Sequence, residues 1–116
     1  MTQRRVYVVE LSDDAGPRRN RQYANVYVGE TGESPQKRFE KHKAGGQKAS
    51  NVVRKYGLRL LPDLYEHLPA YATERESVAA EKLLKAELEL IGYRVWGGGS
   101  GLNESFAKRN IPSGPK

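Results

Sequence analysis

A small α/β domain of the α+β kind is what the sequence predicts, on three observations. Two runs rich in β-branched and aromatic residues, Val6-Tyr7-Val8-Val9 and Val26-Tyr27-Val28, stand close together and are separated by turn formers. A long stretch of helical periodicity, carrying Val78, Ala79, Ala80, Leu83, Leu84, Leu88, Leu90 and Ile91, follows the capping box Thr73-Glu74-Arg75-Glu76. The chain has 116 residues and no cysteine. That is one domain's length, able to bury roughly two thirds of its unfolded surface without disulfide staples.

Each element follows in order. Asp13, Asp14, Gly16, Pro17 and Asn20 lie between the first two runs, which therefore read as a hairpin with a long basic loop. Strand side chains alternate faces, so Val6, Val8, Val26 and Val28 can share one face while Tyr7 and Tyr27 share the other. Ser34 and Pro35 open a helix over Pro35–Ala44 that stops at Gly45-Gly46. A second short helix, Ala49–Tyr56, stops at Gly57. Leu58, Leu60 and Leu61 suggest a strand that continues brokenly through Leu64-Tyr65, with Pro62 marking an edge, bulge or break. The capping box then opens the longest helix, closed by Gly92, and Val95-Trp96 forms a last short strand. Residues 1–96 read as the domain, and 97–116, opening on Gly97-Gly98-Gly99-Ser100-Gly101, as a flexible tail.

The net charge of +6 is segregated. Residues 1–60 carry +7, residues 61–91 carry −4 and residues 92–116 carry +3. A basic excess of this kind favours a polyanionic partner, because Lys and Arg on phosphates release counterions. The apolar stretch Val6–Val9 is too short for a signal peptide, and no run is long enough to span a membrane. A cytoplasmic chain with no membrane segment is the expectation. Two histidines and no cysteine exclude the usual structural zinc centres, and there is no P-loop, HExxH or G-x-S-x-G.

What remains suits phosphate chemistry. Arg38 and His42 stand four apart and so share a face of the first helix, joined there by Lys41. On the long helix two glutamates compete for an inward position. Glu81 lies at the border of the apolar stripe and Glu87 nearer its middle, and periodicity does not choose Glu81. Arg18, Arg19 and Arg21 in the hairpin loop are either a phosphate clamp or a solvated loop, and Lys37, Lys41 and Lys48 extend the basic surface. Tyr93 and Trp96, beside glycines, read as base-stacking groups or as core.

The order of these residues resembles the GIY-YIG nuclease family: Arg5-Val6-Tyr7, then Tyr27-Val28-Gly29, then Arg38 with His42 four later, then Glu81 in Ala-Ala-Glu81-Lys-Leu-Leu before Gly92-Tyr93. The resemblance covers roughly residues 4–96. It departs at Arg5 and Val6 in the first motif, at Arg94 where many members have an asparagine nearby, and at Glu30 where the repair branch often has a lysine.

The resemblance implies a small three-stranded sheet flanked by helices and a one-metal phosphodiesterase. Tyr7 and Tyr27 would be the motif tyrosines, one of them acting on water, and Arg38 would grip a non-bridging phosphate oxygen with its fork. Glu81 would hold one Mg²⁺ or Mn²⁺. His42 would relay a proton, contact phosphate or simply lie at the surface. The expected function is thus a metal-dependent DNA endonuclease, with a protein partner as one possible source of targeting. The rival is a catalytically silent nucleic-acid-binding module of the same fold.

Overall fold

A computed structural model of the chain describes residues 3–46 and 48–97. The order is β1 (Arg5–Leu11), β2 (Asn25–Thr31), α1 (Pro35–Ala44), α2 (Asn51–Tyr56), β3 (Gly57–Leu60), α3 (Glu74–Ile91) and β4 (Arg94–Gly97). Single 3-10 turns occupy Asp13–Ala15 and Pro62–Leu64. Gly97 closes β4, so the ordered unit takes in the first residue assigned to the tail. The rest of the tail expectation, residues 98–116, lies outside the described residues.

The expected three-stranded sheet is corrected to a mixed four-stranded one, ordered β3-β1-β2-β4. β1 pairs antiparallel with β2 and β3, while β4 runs parallel to β2, matching Asn25 with Arg94 and Val28 with Gly97. A parallel neighbour needs a long crossover. Here α3 returns the chain to the start of β2, where the rings of Tyr23 and Tyr93 meet at 4.8 Å.

The β1–β2 register sets Tyr7 opposite Gly29 and Val9 opposite Tyr27. Alternation then divides the sheet by chemistry. Val6, Val8, Val26 and Val28 form one face, packed on Leu84 and Leu88 of α3. Tyr7, Val9, Leu11 and Tyr27 form the other, with Val53 of α2 and Phe39 of α1 against them. Both tyrosines are buried.

The helix signals act as read. Ser34 accepts from the Lys37 N–H with Pro35 in the first turn, and Gly45 ends α1 at φ +82°. Both halves of the Thr73–Glu76 capping box are formed. The second helix begins later than expected, because Ser50 serves as its cap and accepts from Val53 N–H. β3 ends at Leu60, and Pro62 starts a 3-10 turn instead of continuing the strand. Among the described residues no helix is long and apolar enough to cross a membrane.

Candidate active site

Past the C-terminal end of β2, where Thr31, Gly32 and Glu33 leave the sheet, a cleft of about 610 Å³ opens. Helices from both faces reach it. α1 brings Arg38 from the tyrosine face and α3 brings Glu74 and Glu81 from the valine face, while Arg4, Glu30 and Lys48 complete the charged lining. Crevices at strand C-termini suit ligands because the side chains of several elements converge there.

Glu81 is the most buried of the cleft's carboxylates, at 1% exposure. It sits inside the inward stripe Ser77, Glu81, Leu84 and Leu88, spaced four, three and four. The sequence placed Glu87 nearer the stripe's middle, and that is overturned. Glu87 is exposed, because Leu83, Leu90 and Ile91, which drew the apparent stripe toward it, point to solvent.

Two further cleft carboxylates, Glu30 and Glu33, are paired with cations of the protein. Arg4 donates to both oxygens of Glu30, at 2.8 and 3.2 Å, and the Ser77 hydroxyl donates to the same carboxylate at 2.7 Å. Glu30 holds the Arg4 guanidinium above its usual pKa. Lys41 stands 2.9 Å from Glu33 and pulls that carboxyl's pKa down. Glu30, where the repair branch of the family that the sequence resembles often has a lysine, thus lines the cleft with its charge held by Arg4. Neither Arg4 nor Ser77 was singled out from sequence. The alternation that groups Val6 with Val28 also puts Arg4 and Glu30 on that face, and this was the available signal.

Behind Arg38 lies a buried aromatic cluster. The rings of Tyr7 and Tyr27 are 6.3 Å apart, and His42 is 6.2 Å from the first and 5.8 Å from the second. His42 is 1% exposed, so the surface-histidine reading fails. Its Nδ1 accepts the Ser50 backbone N–H at 2.8 Å, and its Nε2 stands 2.8 Å from the Tyr7 hydroxyl. A backbone N–H can only donate. In neutral imidazole the proton is then on Nε2, which donates to Tyr7 Oη. Burial, reinforced by the Arg38 charge, pushes the His42 pKa down to about 4, so the ring is neutral at physiological pH. With its one basic nitrogen held by Ser50, His42 does not take the Tyr7 proton in this arrangement. It positions the phenol instead.

Tyr7 is likewise tuned. Burial raises its pKa well above that of a free phenol, and the nearby Tyr27 hydroxyl adds to the effect while Arg38 opposes it. Tyr7 therefore accepts the His42 Nε2–H at its oxygen and holds its own proton, with Arg38 and the Tyr27 hydroxyl also in hydrogen-bonding reach of it. Arg38 is held from outside, Nη2 donating to the Lys48 carbonyl at 2.8 Å.

The hairpin-loop arginines lie elsewhere. The loop precedes Asn25, at the opposite end of β2 from the cleft, about 20 Å away along the strand. Arg18 pairs with Asp13 at 2.7 Å and reaches the Arg21 carbonyl. Arg19 donates to the carbonyls of Glu89 and Tyr93, at 3.1 Å each, at the C-terminal end of α3. Arg21 is exposed in the same loop. The first-helix cations are near the cleft instead: Lys48 lines it, Lys41 pairs with its Glu33, and Lys37 acts on the same carboxylate. Trp96 packs against the tyrosine-face core with Arg94 5.2 Å over its ring, and Tyr93 packs on Tyr23.

The structure thus gathers Arg38 and Glu81 on one cleft, with Tyr7, Tyr27 and His42 as a buried cluster beside Arg38, and leaves Arg18, Arg19 and Arg21 apart. Set against protein-family models, curated proteins and solved structures, the chain finds no match in any of the three.

Proposed function

We propose that the protein is a metal-dependent endonuclease that hydrolyses DNA phosphodiester bonds. The observation that carries this reading is the meeting, in one cleft, of the buried Glu81 carboxylate and the half-buried Arg38 guanidinium, brought from helices on opposite faces of the sheet. The ordered set Tyr7, Tyr27-Val28-Gly29, Arg38, His42 and Glu81, which resembles GIY-YIG nucleases, supplies the reaction class. A surface that only binds polyanions gains nothing from an inward carboxylate, which repels phosphate unless a cation stands between them.

Glu81 would hold one Mg²⁺ or Mn²⁺. Among the described residues no cluster of three or more His, Cys, Asp or Glu could cage an ion. A single carboxylate such as Glu81 would suit only a hard cation that keeps most of its ligands as water and substrate oxygens. When bound, such an ion supplies positive charge at the phosphate and a more acidic water. Arg38 would grip a non-bridging oxygen through two N–H bonds as charge builds there. Tyr7, protonated at neutral pH, would orient the attacking water or the leaving oxygen by hydrogen bonding. If that proton passes to the leaving oxygen as the P–O bond breaks, His42 Nε2–H and the Arg38 charge would steady the phenolate oxygen left behind.

The test is incubation of the full chain with labelled single-stranded, duplex and branched DNA, with Mg²⁺, with Mn²⁺ and with chelator. Cutting with the ions and none with chelator is expected. Glu81→Gln should bind DNA equally well yet cut slower by a factor on the order of 10²–10³. Binding without cutting under every condition would replace the nuclease with a silent nucleic-acid-binding module.

A further inference from the structure

The long helix α3 carries, besides its buried stripe, a second stripe of apolar residues that faces outward. The inward stripe is Ser77, Glu81, Leu84 and Leu88. Ala79, Leu83, Ala86 and Leu90 make a second, with the same spacing of four, three and four. It is offset by two residues, about 200° round the helix. All four are exposed, Leu83 at 67% and Leu90 at 88%. The two leucines, a heptad apart with Ala86 between them, thus share one outward helix face.

We infer that this outer face docks a second copy of the chain through α3, the two helices antiparallel about a two-fold axis. The four-three-four spacing is that of a coiled-coil seam. Small and large residues alternate along it. Antiparallel pairing centred between Leu83 and Ala86 sets Ala79 opposite Leu90 of the other copy and Leu83 opposite its Ala86, so each large side chain meets a small one. Parallel pairing would stack alanine on alanine and leave voids. Charge agrees with the antiparallel choice. Lys82 and Glu89, both exposed, flank the stripe on the same side, seven residues apart. The same axis brings Lys82 of each copy beside Glu89 of the other, two opposite-charge pairs from one symmetric contact.

Sedimentation of the full chain across micromolar to millimolar concentrations tests this, with circular dichroism to confirm folding. A reversible monomer–dimer equilibrium is expected, and Leu83→Glu should leave monomer throughout. Lys82→Glu and Glu89→Lys should each weaken the dimer by about tenfold, and the double swap should restore it. The two positions are about 10 Å apart along their own helix, so that rescue can act only between copies. A wild-type chain monomeric at every concentration, or a dimer indifferent to Leu83→Glu, would overturn the proposal. Rescue by Lys82→Glu with Glu87→Lys, and none with Glu89→Lys, would overturn the antiparallel arrangement.

Discussion

The phenol of Tyr7 lies over the bare Cα of Gly29, its partner across the β1–β2 ladder. A Cβ there would stand 2.6 Å from Tyr7 Oη and 2.7 Å from Cζ. Gly29 is therefore the space in which the site tyrosine sits. Gly29→Ala should lower stability by about 1–3 kcal/mol, since the buried ring has no free room to retreat into. In urea unfolding, Tyr7→Ala should cost less in the Gly29→Ala background than in the wild type. Strictly additive effects would show that the ring and the glycine do not share space.

His42 makes stability depend on acid. Its folded pKa is depressed to about 4 against an ordinary value of 6.5. Below pH 6.5 the unfolded chain takes up a proton that the native ring refuses, so stability is full above that pH and falls as pH drops toward 4. The loss is at most about 3 kcal/mol. Unfolding midpoints for wild type and His42→Gln between pH 7 and pH 4 should converge as the pH is lowered. A constant gap would mean that the buried imidazole is not the titrating group.

Arg38→Lys keeps the charge and removes the fork. Turnover should fall by about a hundredfold while DNA affinity changes by less than about threefold, because two-point contact matters most when charge concentrates on the phosphate. Single-turnover cleavage and binding isotherms on one substrate separate the two. Equal losses would make Arg38 a docking residue.

The loop arginines stand at the far end of β2 from the cleft, and the first-helix cations stand beside it. Replacing Lys37, Lys41 and Lys48 with Ala should flatten the log–log salt dependence of duplex binding by about 0.9 for each phosphate that is no longer neutralised. Replacing Arg18, Arg19 and Arg21 should leave that slope nearly unchanged. Arg19→Ala should instead cost about 1 kcal/mol of stability through its bonds to the Glu89 and Tyr93 carbonyls. A slope flattened by the loop changes alone would make the loop the substrate surface.

Much of the fold was legible because it is written in local chemistry. The Val-Tyr-Val runs separated into faces as period two demands, and Ser34-Pro35, Gly45 and the Thr73–Glu76 box marked helix ends through hydrogen bonds made within a turn. What failed depended on contacts distant in sequence. The parallel pairing of β4 is decided by where α3 delivers the chain, and no residue in Arg94–Gly97 encodes it. Leu83, Leu90 and Ile91 misled the stripe, since hydrophobicity alone does not say which face is covered. In the site, order along the chain was enough to nominate Arg38 and Glu81. It gave no hint that the Ser50 backbone fixes the His42 tautomer, nor that Ser77 joins Arg4 in holding Glu30, because these are meetings between elements.

The division of the hairpin into a tyrosine face and a valine face ties the protein's chemistry to a single parity. Inserting or deleting one residue within Arg5–Leu11 or Asn25–Thr31 would exchange odd and even positions beyond that point. Tyrosines would turn toward α3 and valines toward His42, so the buried aromatic cluster and the core that supports it would vanish in one event. The loop between the strands carries no such parity, and changes in its length leave both faces in phase. Variation in this domain is thus channelled: the loop is free to change in steps of one residue, while the strands tolerate only substitution.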